Sequence, residues 1–552
     1  MSPVSETTRR LSNPAVSGDH VPDPWAVSEG GRVGQAEGSE VLFLTKGESF
    51  GMLCMASVLE HQQMAKVRLA SLSPDMTILM FPLQKWNDPD GGVEAKLFQR
   101  QYMSVRELGA LQSLERSNAR NKYVCLSMDA DDIDLVSYTV ALSRIKCPSA
   151  DVVVGGSAVT LNPEGALGYS GADFAIMGEG ERSLPDLVSL LARFPRERRA
   201  QNPGEFLAEF RKIPGAFMRE GYRVLSSGIR GNFLTVHELE TQPLDYRLLG
   251  DMVKEGTLPM ITSRGCPFRC SFCLGQDLFG SRFRAWSPEK ILFELRKVSG
   301  LEFGREGWAQ EFTLEQYGKF RIDNIQFWDA DFLFSRKRAL DFFKMVSRGD
   351  LRDRFRFSLQ AGVDSAMTDH EPDVELIDAM AKARVESVSL GAENLSDSFI
   401  GRNKLPVRFT ADDVVGLSCA LSDAEIQPNL YIIFGDIDST PEEIRQSLRR
   451  IRDLARKAKR LRIVMAPCII PYSGTGAHKT ILRRGLQGQL MAEKRHLADG
   501  RAVEFIFGAR PIHPGVSAVI KELDLKNNKF EGEEQIVGFC GRTLALVDKH
   551  CK

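Results

Sequence analysis

Cys266, Cys270 and Cys273 form a Cys-x-x-x-Cys-x-x-Cys run within Thr262-Ser-Arg-Gly-Cys-Pro-Phe-Arg-Cys-Ser-Phe-Cys273. Thiolates are the soft ligands that hold iron–sulfur clusters. Three of them suit a 4Fe-4S cube with one iron left without a protein ligand, free to bind and activate a small molecule, by the same open-position logic that separates catalytic from structural zinc. The plainer alternative is a structural zinc knuckle. It needs a fourth Cys or His, and the stretch from Gly250 to Gly300 supplies neither, although a distant ligand could fold in. Three unrelated buried thiols are the third possibility, against which Gly265 and Pro267 read as shaping a ligand loop. Phe272 stands directly before the last cysteine.

The elements that must position this loop come in two runs. Residues 1–38 are Ser, Gly, Pro and charged residues without apolar periodicity, a composition expected to stay a disordered leader. From Glu40 strands and helices alternate: strands at Val41–Leu44, Val67–Leu72, Val124–Ser127, Asp151–Gly156 and Phe174–Ile176, and helices at Met52–Leu59 and Ile133–Lys146, with a longer insertion after Leu72. Such alternation predicts a doubly wound parallel sheet over 39–195. Ligands of these sheets sit beyond the carboxyl ends of the strands, where glycine permits close backbone approach. Gly155-Gly156 and Gly178-Glu179-Gly180-Glu181 lie at two such ends. Tight turns are the competing reading of both motifs.

A linker is expected over 196–255, and from 256 to 480 a second series of strand and helix units. Met260–Ser263 delivers the cysteine loop. Ser287 caps a helix with Pro288 at its first position, running to Val298 with Gly300 to end it. Strands follow at Ile325–Trp328, Phe355–Leu359, Val385–Leu390, Leu430–Phe434 and Leu461–Met465, with a helix at Val374–Ala383 and a capping box at Thr440-Pro-Glu-Glu443. Six parallel strands fit an open, partial (β/α)6 barrel, a relative of the full barrel in which reactive groups gather at strand carboxyl ends. The strand ends here carry Asp329-Ala-Asp331, Gly391-Ala-Glu393-Asn394, Phe434-Gly435-Asp436 and Pro471-Tyr-Ser-Gly-Thr475. Residues 481–552 read as a smaller C-terminal α/β extension, expected to help shape a substrate pocket.

The cysteine spacing with its aromatic before the third cysteine resembles the radical S-adenosylmethionine (SAM) superfamily. The stretch Glu40 to Leu191, with Val-Val-Val-Gly-Gly, Asp173 and Gly-Glu-Gly-Glu, resembles the cobalamin-binding domain that precedes the radical SAM domain in one branch, and the strand-end motifs up to Thr475 are similar to those of that branch. The resemblance implies an N-terminal Rossmann-like cobalamin domain, a 4Fe-4S cluster on Cys266, Cys270 and Cys273, and cobalamin across Gly155, Gly156, Gly178, Glu179 and Gly180. It also implies that SAM lies against Phe272, Asp329, Asp331 and Glu393. The expected reaction is cleavage of SAM to a 5'-deoxyadenosyl radical and C-methylation of a small biosynthetic intermediate, with flavodoxin or ferredoxin as reductant. Three departures stand beside it. There is no Asp-x-His-x-x-Gly run to supply a lower cobalamin ligand, Thr45-Lys-Gly-Glu-Ser49 replaces Asn-Pro-Pro, and Ser157-Ala158 replaces a frequent Pro-His pair. Rearrangement, cyclisation or oxidation without methyl transfer, RNA modification, and a zinc-binding interaction protein are the alternatives.

Composition agrees with a large soluble enzyme. The 552 residues are 43% apolar and 26% charged, with a formal net charge of -1 that favours no class of partner. No apolar run of membrane-spanning length and no secretory h-region occur, so a cytoplasmic protein without membrane contact is expected. Cys54, Cys125, Cys147, Cys419, Cys468, Cys540 and Cys551 are expected to be thiols. The basic run Arg445–Arg462 reads as a solvated helix face in preference to a nucleic-acid surface.

Overall fold

The computed structural model describes residues 38–45, 50–62, 64–71, 105–129, 133–221, 223–229, 233–252, 256–301, 321–406, 408–496, 502–523 and 529–551. The expected leader (apart from residue 38), the insertion after Leu72 and residues 46–49 of the Thr45–Ser49 departure lie outside the described residues.

The first sheet contains β1 (Ser39–Thr45), β2 (Lys66–Ser71), β3 (Asn121–Ser127), β4 (Asp151–Gly155), β5 (Phe174–Ile176), β6 (Ala216–Glu220) and β7 (Arg223–Ser226), in the order β2-β1-β3-β4-β5-β6-β7. The strands β1 to β5 pair in parallel. Both faces are covered. Val41 and Phe43 enter one apolar cluster, shared with Leu184 and Leu187 of the helix Gly180–Arg193, whereas Leu42 and Leu44 enter another, shared with Val136 and Val140 of the helix Ile133–Lys146. Burial on both sides is why these strands read as continuous apolar runs. The β6 and β7 strands, expected within the linker, form an antiparallel hairpin that extends this sheet. Its short, half-polar strands carry too little alternation to stand out in sequence.

The second sheet contains β8 (Thr257–Met260), β11 (Asn324–Phe327), β12 (Arg356–Ala361), β15 (Val385–Glu393), β16 (Gln427–Ile433), β17 (Arg462–Ala466) and β20 (Lys529–Glu531), in the order β8-β11-β12-β15-β16-β17-β20. All pair in parallel except β20, which is antiparallel to β17. Short ribbons complete the strands: β9 (Ser263–Arg264) with β10 (Arg284–Ala285), β13 (Met367–Thr368) with β14 (Glu371–Pro372), and β18 (Leu490–His496) with β19 (Ala502–Ala509). Strand residues alternate in burial: Phe357, Leu359 and Ala361 are buried and Arg356, Ser358 and Gln360 are not. The buried set meets the helices, as in the Phe327–Phe342 edge contact at 5.6 Å between ring centroids. The expected strand Met260–Ser263 is instead broken at Ile261-Thr262, where the chain leaves the sheet to enter the β9–β10 ribbon.

Caps fall where sequence chemistry placed them. The Ser287 hydroxyl accepts from the Lys290 N–H at 3.1 Å at the start of Pro288–Ser299, and Thr440 with Glu443 forms a reciprocal capping box for Pro441–Lys457. That latter helix is not a bare solvated face. The C-terminal helix Gly532–His550 packs on it, and Arg445, Arg450, Arg452, Arg456 and Arg462 of the basic run all have acidic partners. Among the described residues no helix is long and apolar enough to cross a membrane.

Gly156 follows β4 at φ 103°, and a Cβ there would lie 2.8 Å from the Met128 carbonyl oxygen and 2.9 Å from its nitrogen. Backbone atoms cannot give way. Gly156→Ala is expected to cost about 3 kcal/mol through strain and overpacking. Gly168→Ala, where a Cβ meets nothing within 4 Å, serves as the control. Urea midpoints compare them, and equal midpoints for the two variants would contradict this reading of the turn.

Candidate functional site

The cysteine loop leaves the β9–β10 ribbon through Gly265, whose φ is 86° and whose Cβ would lie 2.1 Å from the Arg282 carbonyl oxygen. Only glycine fits that corner. Three neighbouring segments then hold the loop by backbone hydrogen bonds. The Cys266 N–H donates to Gly280 at 3.1 Å; the Arg269 and Ser271 N–H groups donate to Leu405 at 2.7 Å and Asn403 at 2.8 Å; and Ala477 N–H donates to the Ser271 carbonyl at 2.8 Å. That last bond comes from just beyond Pro471-Tyr-Ser-Gly-Thr475, so this motif's place beside the loop is structural. These bonds occupy the loop's backbone, and the Gly275 N–H donates to the Cys273 sulfur at 3.2 Å.

Cys266 and Cys270 are half-buried and Cys273 is exposed. Burial pushes the Cys266 thiol up and Cys270 up to about 11, with Lys404 opposing the rise at both and the neighbouring cysteines adding to it. Thiols in this state ionise when a metal supplies the compensating charge. Among the described residues, no three His, Cys, Asp or Glu side chains converge on one point that could hold a metal ion.

Lys404 reaches Glu393 at 3.0 Å and lies 5.8 Å from the Phe272 ring centroid. Burial opposes its charge, but Glu393 and Cys270 outweigh burial and shift its pKa upward. Glu393 closes β15 in the left-handed region, at φ 59°. The two aspartates differ. Asp329 is fully buried in the wall, its carboxylate accepting from the Thr262 N–H at 3.1 Å and hydroxyl at 3.0 Å, with Arg338 bonded to the same hydroxyl. It holds the bend between β8 and β9. Asp331 accepts from the Ser365 hydroxyl at 2.6 Å and the Leu333 N–H at 3.1 Å, and burial pushes its carboxyl up to about 6.

At the first sheet's edge the glycines also divide. Gly156 and Gly180 are packing positions, since a Cβ on Gly180 would lie 2.7 Å from the Met55 sulfur. Gly155 has only the Ile176 carbonyl at 3.7 Å, and Gly178, at φ 83°, faces open space. Thr160 joins the two turns, donating to the Gly156 carbonyl at 2.9 Å and accepting from the Gly178 N–H at 3.0 Å. Glu179 and Glu181 turn away from that space toward the cysteine ribbon. Arg284 of β10 binds Glu179 at 2.8 and 3.0 Å, and Arg264 of β9 binds Glu181 at 2.6 Å and lies 3.6 Å from Glu179. Two carboxylates and two guanidiniums, all buried or nearly so, therefore join the sheets two residues before Cys266.

No family model matches the chain. Among curated proteins it is 27% identical over 353 residues to an uncharacterized methyltransferase of Pyrococcus horikoshii, covering 61% of this chain and 65% of the relative. It is 26% identical over 291 residues to the hopanoid C-3 methylase of Methylococcus capsulatus, covering 45% and 52%. With the anaerobic magnesium-protoporphyrin IX monomethyl ester cyclase of Cereibacter sphaeroides it shares 24% over 298 residues, covering 51% and 41%. The chain thus spans between two fifths and two thirds of these relatives' lengths. Among solved structures, the cobalamin-dependent SAM radical enzyme OxsB, with aqua-cobalamin bound, superposes with a TM-score of 0.62 at 15% identity over 87% of this chain and 66% of that one. The radical SAM methyltransferase TsrM from Kitasatospora setae, with tryptophan substrate and a SAM analog bound, gives 0.59 at 15% identity, covering 85% of each chain.

The chain is similar in sequence to methyltransferases and a cyclase, and in fold to the cobalamin-dependent radical SAM enzymes. It shares their mixed α/β fold with parallel sheets. Arg264, Arg284, Lys404 and Thr160 were not singled out from sequence, because their partners lie far along the chain. Arg264 had one local signal, standing two residues before the first cysteine.

Removing one member of a buried ionic group leaves its partner uncompensated, at about 3–5 kcal/mol, whereas replacing both by apolar residues is close to neutral. Arg264→Met is therefore expected to lower the midpoint of the first urea transition strongly, and Arg264→Met with Glu181→Leu to recover much of the loss. A single variant as stable as the wild type would show that the clamp does not hold the sheets.

Proposed function

We propose that this chain is a cobalamin-dependent radical SAM enzyme that methylates a carbon of a small biosynthetic intermediate. The observation carrying the reading is the backbone-strapped loop of three neighbouring thiols at the strand ends, tied by two arginines to the glycine edge of the first sheet. Cys266, Cys270 and Cys273 would hold the 4Fe-4S cluster, and the exposed side of Cys273 is where a flavodoxin or ferredoxin could deliver an electron. Phe272, Asp331 and Glu393 with Lys404 would line the SAM site. Gly155 and Gly178 would let a corrinoid approach the backbone, while Gly156, Glu179 and Gly180 keep that edge in shape and Asp329 braces the loop's entry. When bound, the cluster and SAM supply one-electron cleavage to a 5'-deoxyadenosyl radical, and the corrinoid carries the methyl group. The protein's residues orient these groups and exclude water.

A second reading, radical cyclisation or oxidation without methyl transfer, is favoured by the likeness to the magnesium-protoporphyrin cyclase. Coproducts separate the two. With methyl-deuterated SAM, methylation yields a deuterated methyl product together with 5'-deoxyadenosine and S-adenosylhomocysteine; deoxyadenosine alone, with an unchanged carbon count, selects the second.

Anaerobically reconstituted protein is expected to carry about four irons per chain, and Cys266→Ala, Cys270→Ala or Cys273→Ala to lose the iron and SAM cleavage. Stoichiometric zinc in place of iron would sink the proposal. The Asp331 carboxyl is pushed up to about 6 by burial. Contact with the SAM ammonium favours its ionised form, so SAM affinity should be full above that value and fall as pH drops through it. Equilibrium dialysis of labelled SAM checks this, and Asp331→Asn should bind weakly and without that pH step; an identical pH profile in the variant would remove Asp331 from the site.

A further inference from the structure

The face of the second sheet turned away from its helices carries a transverse row of side chains fixed by strand register. Phe327 pairs with Leu359, which sets Trp328 level with Gln360; Gln360 pairs with Ser389, and Ser389 with Asn429. Trp328 is 46% exposed and held by its indole N–H donating to Gln326 at 3.3 Å. Tyr431, two residues beyond Asn429 on the same face, is 42% exposed. Both rings offer a face on which a planar ligand could stack.

Asn429 is only 8% exposed, yet its side-chain oxygen has no hydrogen-bond partner. A buried amide oxygen left unpaired costs free energy that a ligand donor would restore. The row ends on Arg462, level with Asn429, whose guanidinium lies 3.7 Å from Glu531 while its Nε has no hydrogen-bond partner. The row is uncharged from Trp328 to Asn429. It also leads toward the cysteine loop, because Ser389 and Gly391 follow one another on this face of β15, and beyond the register irregularity after Leu390 the strand closes on Glu393, which binds the Lys404 that lies against Phe272. At Gly391 a Cβ would approach Glu393 at 3.1 Å and Lys404 at 3.2 Å, so glycine keeps the passage open. Ser389 lies about 7 Å along the strand from Gly391, at two residues of β rise.

We propose that Trp328, Gln360, Ser389, Asn429 and Tyr431 form the floor of the substrate site, and that it selects an uncharged, planar ring compound bearing a hydrogen-bond donor. The inference rests on the proposed function for its location, because a floor below Glu393 is useful to a radical formed at the cysteine loop. Trp328 supplies the stacking plane. Gln360, Ser389 and Asn429 supply directional polar contacts without a countercharge, so an anionic analogue would lose its hydration with no partner in return.

Equilibrium dialysis with anaerobic, cluster-loaded full-length protein tests this using indole-3-carboxamide, indole-3-carboxylate and cyclohexanecarboxamide as probes. The neutral planar amide should bind about tenfold or more tighter than either the anionic or the non-planar probe, a difference of the size set by one lost stacking or hydrogen-bonding contact. Trp328→Leu and Asn429→Ala should each weaken the amide by about tenfold, while Trp328→Phe, which keeps a ring, retains most of the affinity. Asn429→Asp, of the same shape, should also bind it weakly while keeping wild-type iron content. Equal affinity in wild type, Trp328→Leu and Asn429→Asp, or preference for the anion, would overturn the assignment. Protein that holds iron and cleaves SAM but retains none of the probes overturns this inference alone. Probe binding with the expected variant losses, in protein that holds no iron and cleaves no SAM, would overturn the proposed function and leave the floor.

Discussion

Arg264 and Arg284 leave the ribbon that presents the cysteine loop and enter a carboxylate pair supplied by the other sheet, and the arrangement of both ligand edges follows from that buried exchange of charge. Neither pair would be worth much on a surface. Buried, each ion depends on its partners, since an unpaired charge there costs several kcal/mol. The guanidinium of Arg284 also donates to the carbonyls of Leu234 and Phe279 at 2.6 Å, and Gln242 carries the polar path from Glu181, at 3.4 Å, to Lys290, at 3.1 Å. Lys290 and Lys297 in turn neutralise the fully buried Glu294. Cys54 packs against Arg264 with its thiol pushed up to about 12 by burial, so it stays neutral within this charged region. A set of partners this interdependent admits one docking of the sheets far more readily than several.

Around the loop the same economy recurs in hydrogen bonds. Asn403 and Leu405 give their carbonyls to the loop's amides while Asp436 holds Arg402 and the Asn403 amide, so a strand-end carboxylate acts on the thiols only through the segment it fixes. Asp329 works in the same way through Thr262. Among the described residues Lys404 is the cation that acts on Cys266 and Cys270, with Asp331 and Glu393 acting in the opposite sense. A buried cation beside thiolates favours their ionised, metal-binding form, and Glu393 on its other side keeps it from being a lone charge.

Much of this was legible in sequence because the chemistry is local. The cysteine spacing, the capped helices at Ser287 and Thr440, and β1, β3, β4 and β5 all announce themselves within a dozen residues. What was not legible depends on pairing across the chain. Glu179 and Arg284 are 105 positions apart, so Gly-Glu-Gly-Glu reads as a ligand turn when its carboxylates are a clamp. Asp329 follows Trp328 at a strand end, where side-chain direction is decided by the bend at Thr262 that no local pattern signals. Gly155, Gly156, Gly178 and Gly180 looked alike in sequence and differ in structure, because Gly156 must pass Met128, Gly180 must pass Met55, and of the four Gly178 alone combines a left-handed turn with open space. The β6–β7 hairpin was hidden by strands too short to show alternation.

Whether the three thiols hold a cluster whose remaining iron takes SAM decides the account more directly than turnover does. Electron-nuclear double resonance on the reduced, anaerobically loaded protein, with SAM labelled by nitrogen-15 at its amine and oxygen-17 at its carboxylate, reads that bond. The account expects hyperfine coupling from both labels to the cluster, lost in Cys270→Ala. A reduced cluster that forms normally and shows no coupling to either label would contradict it.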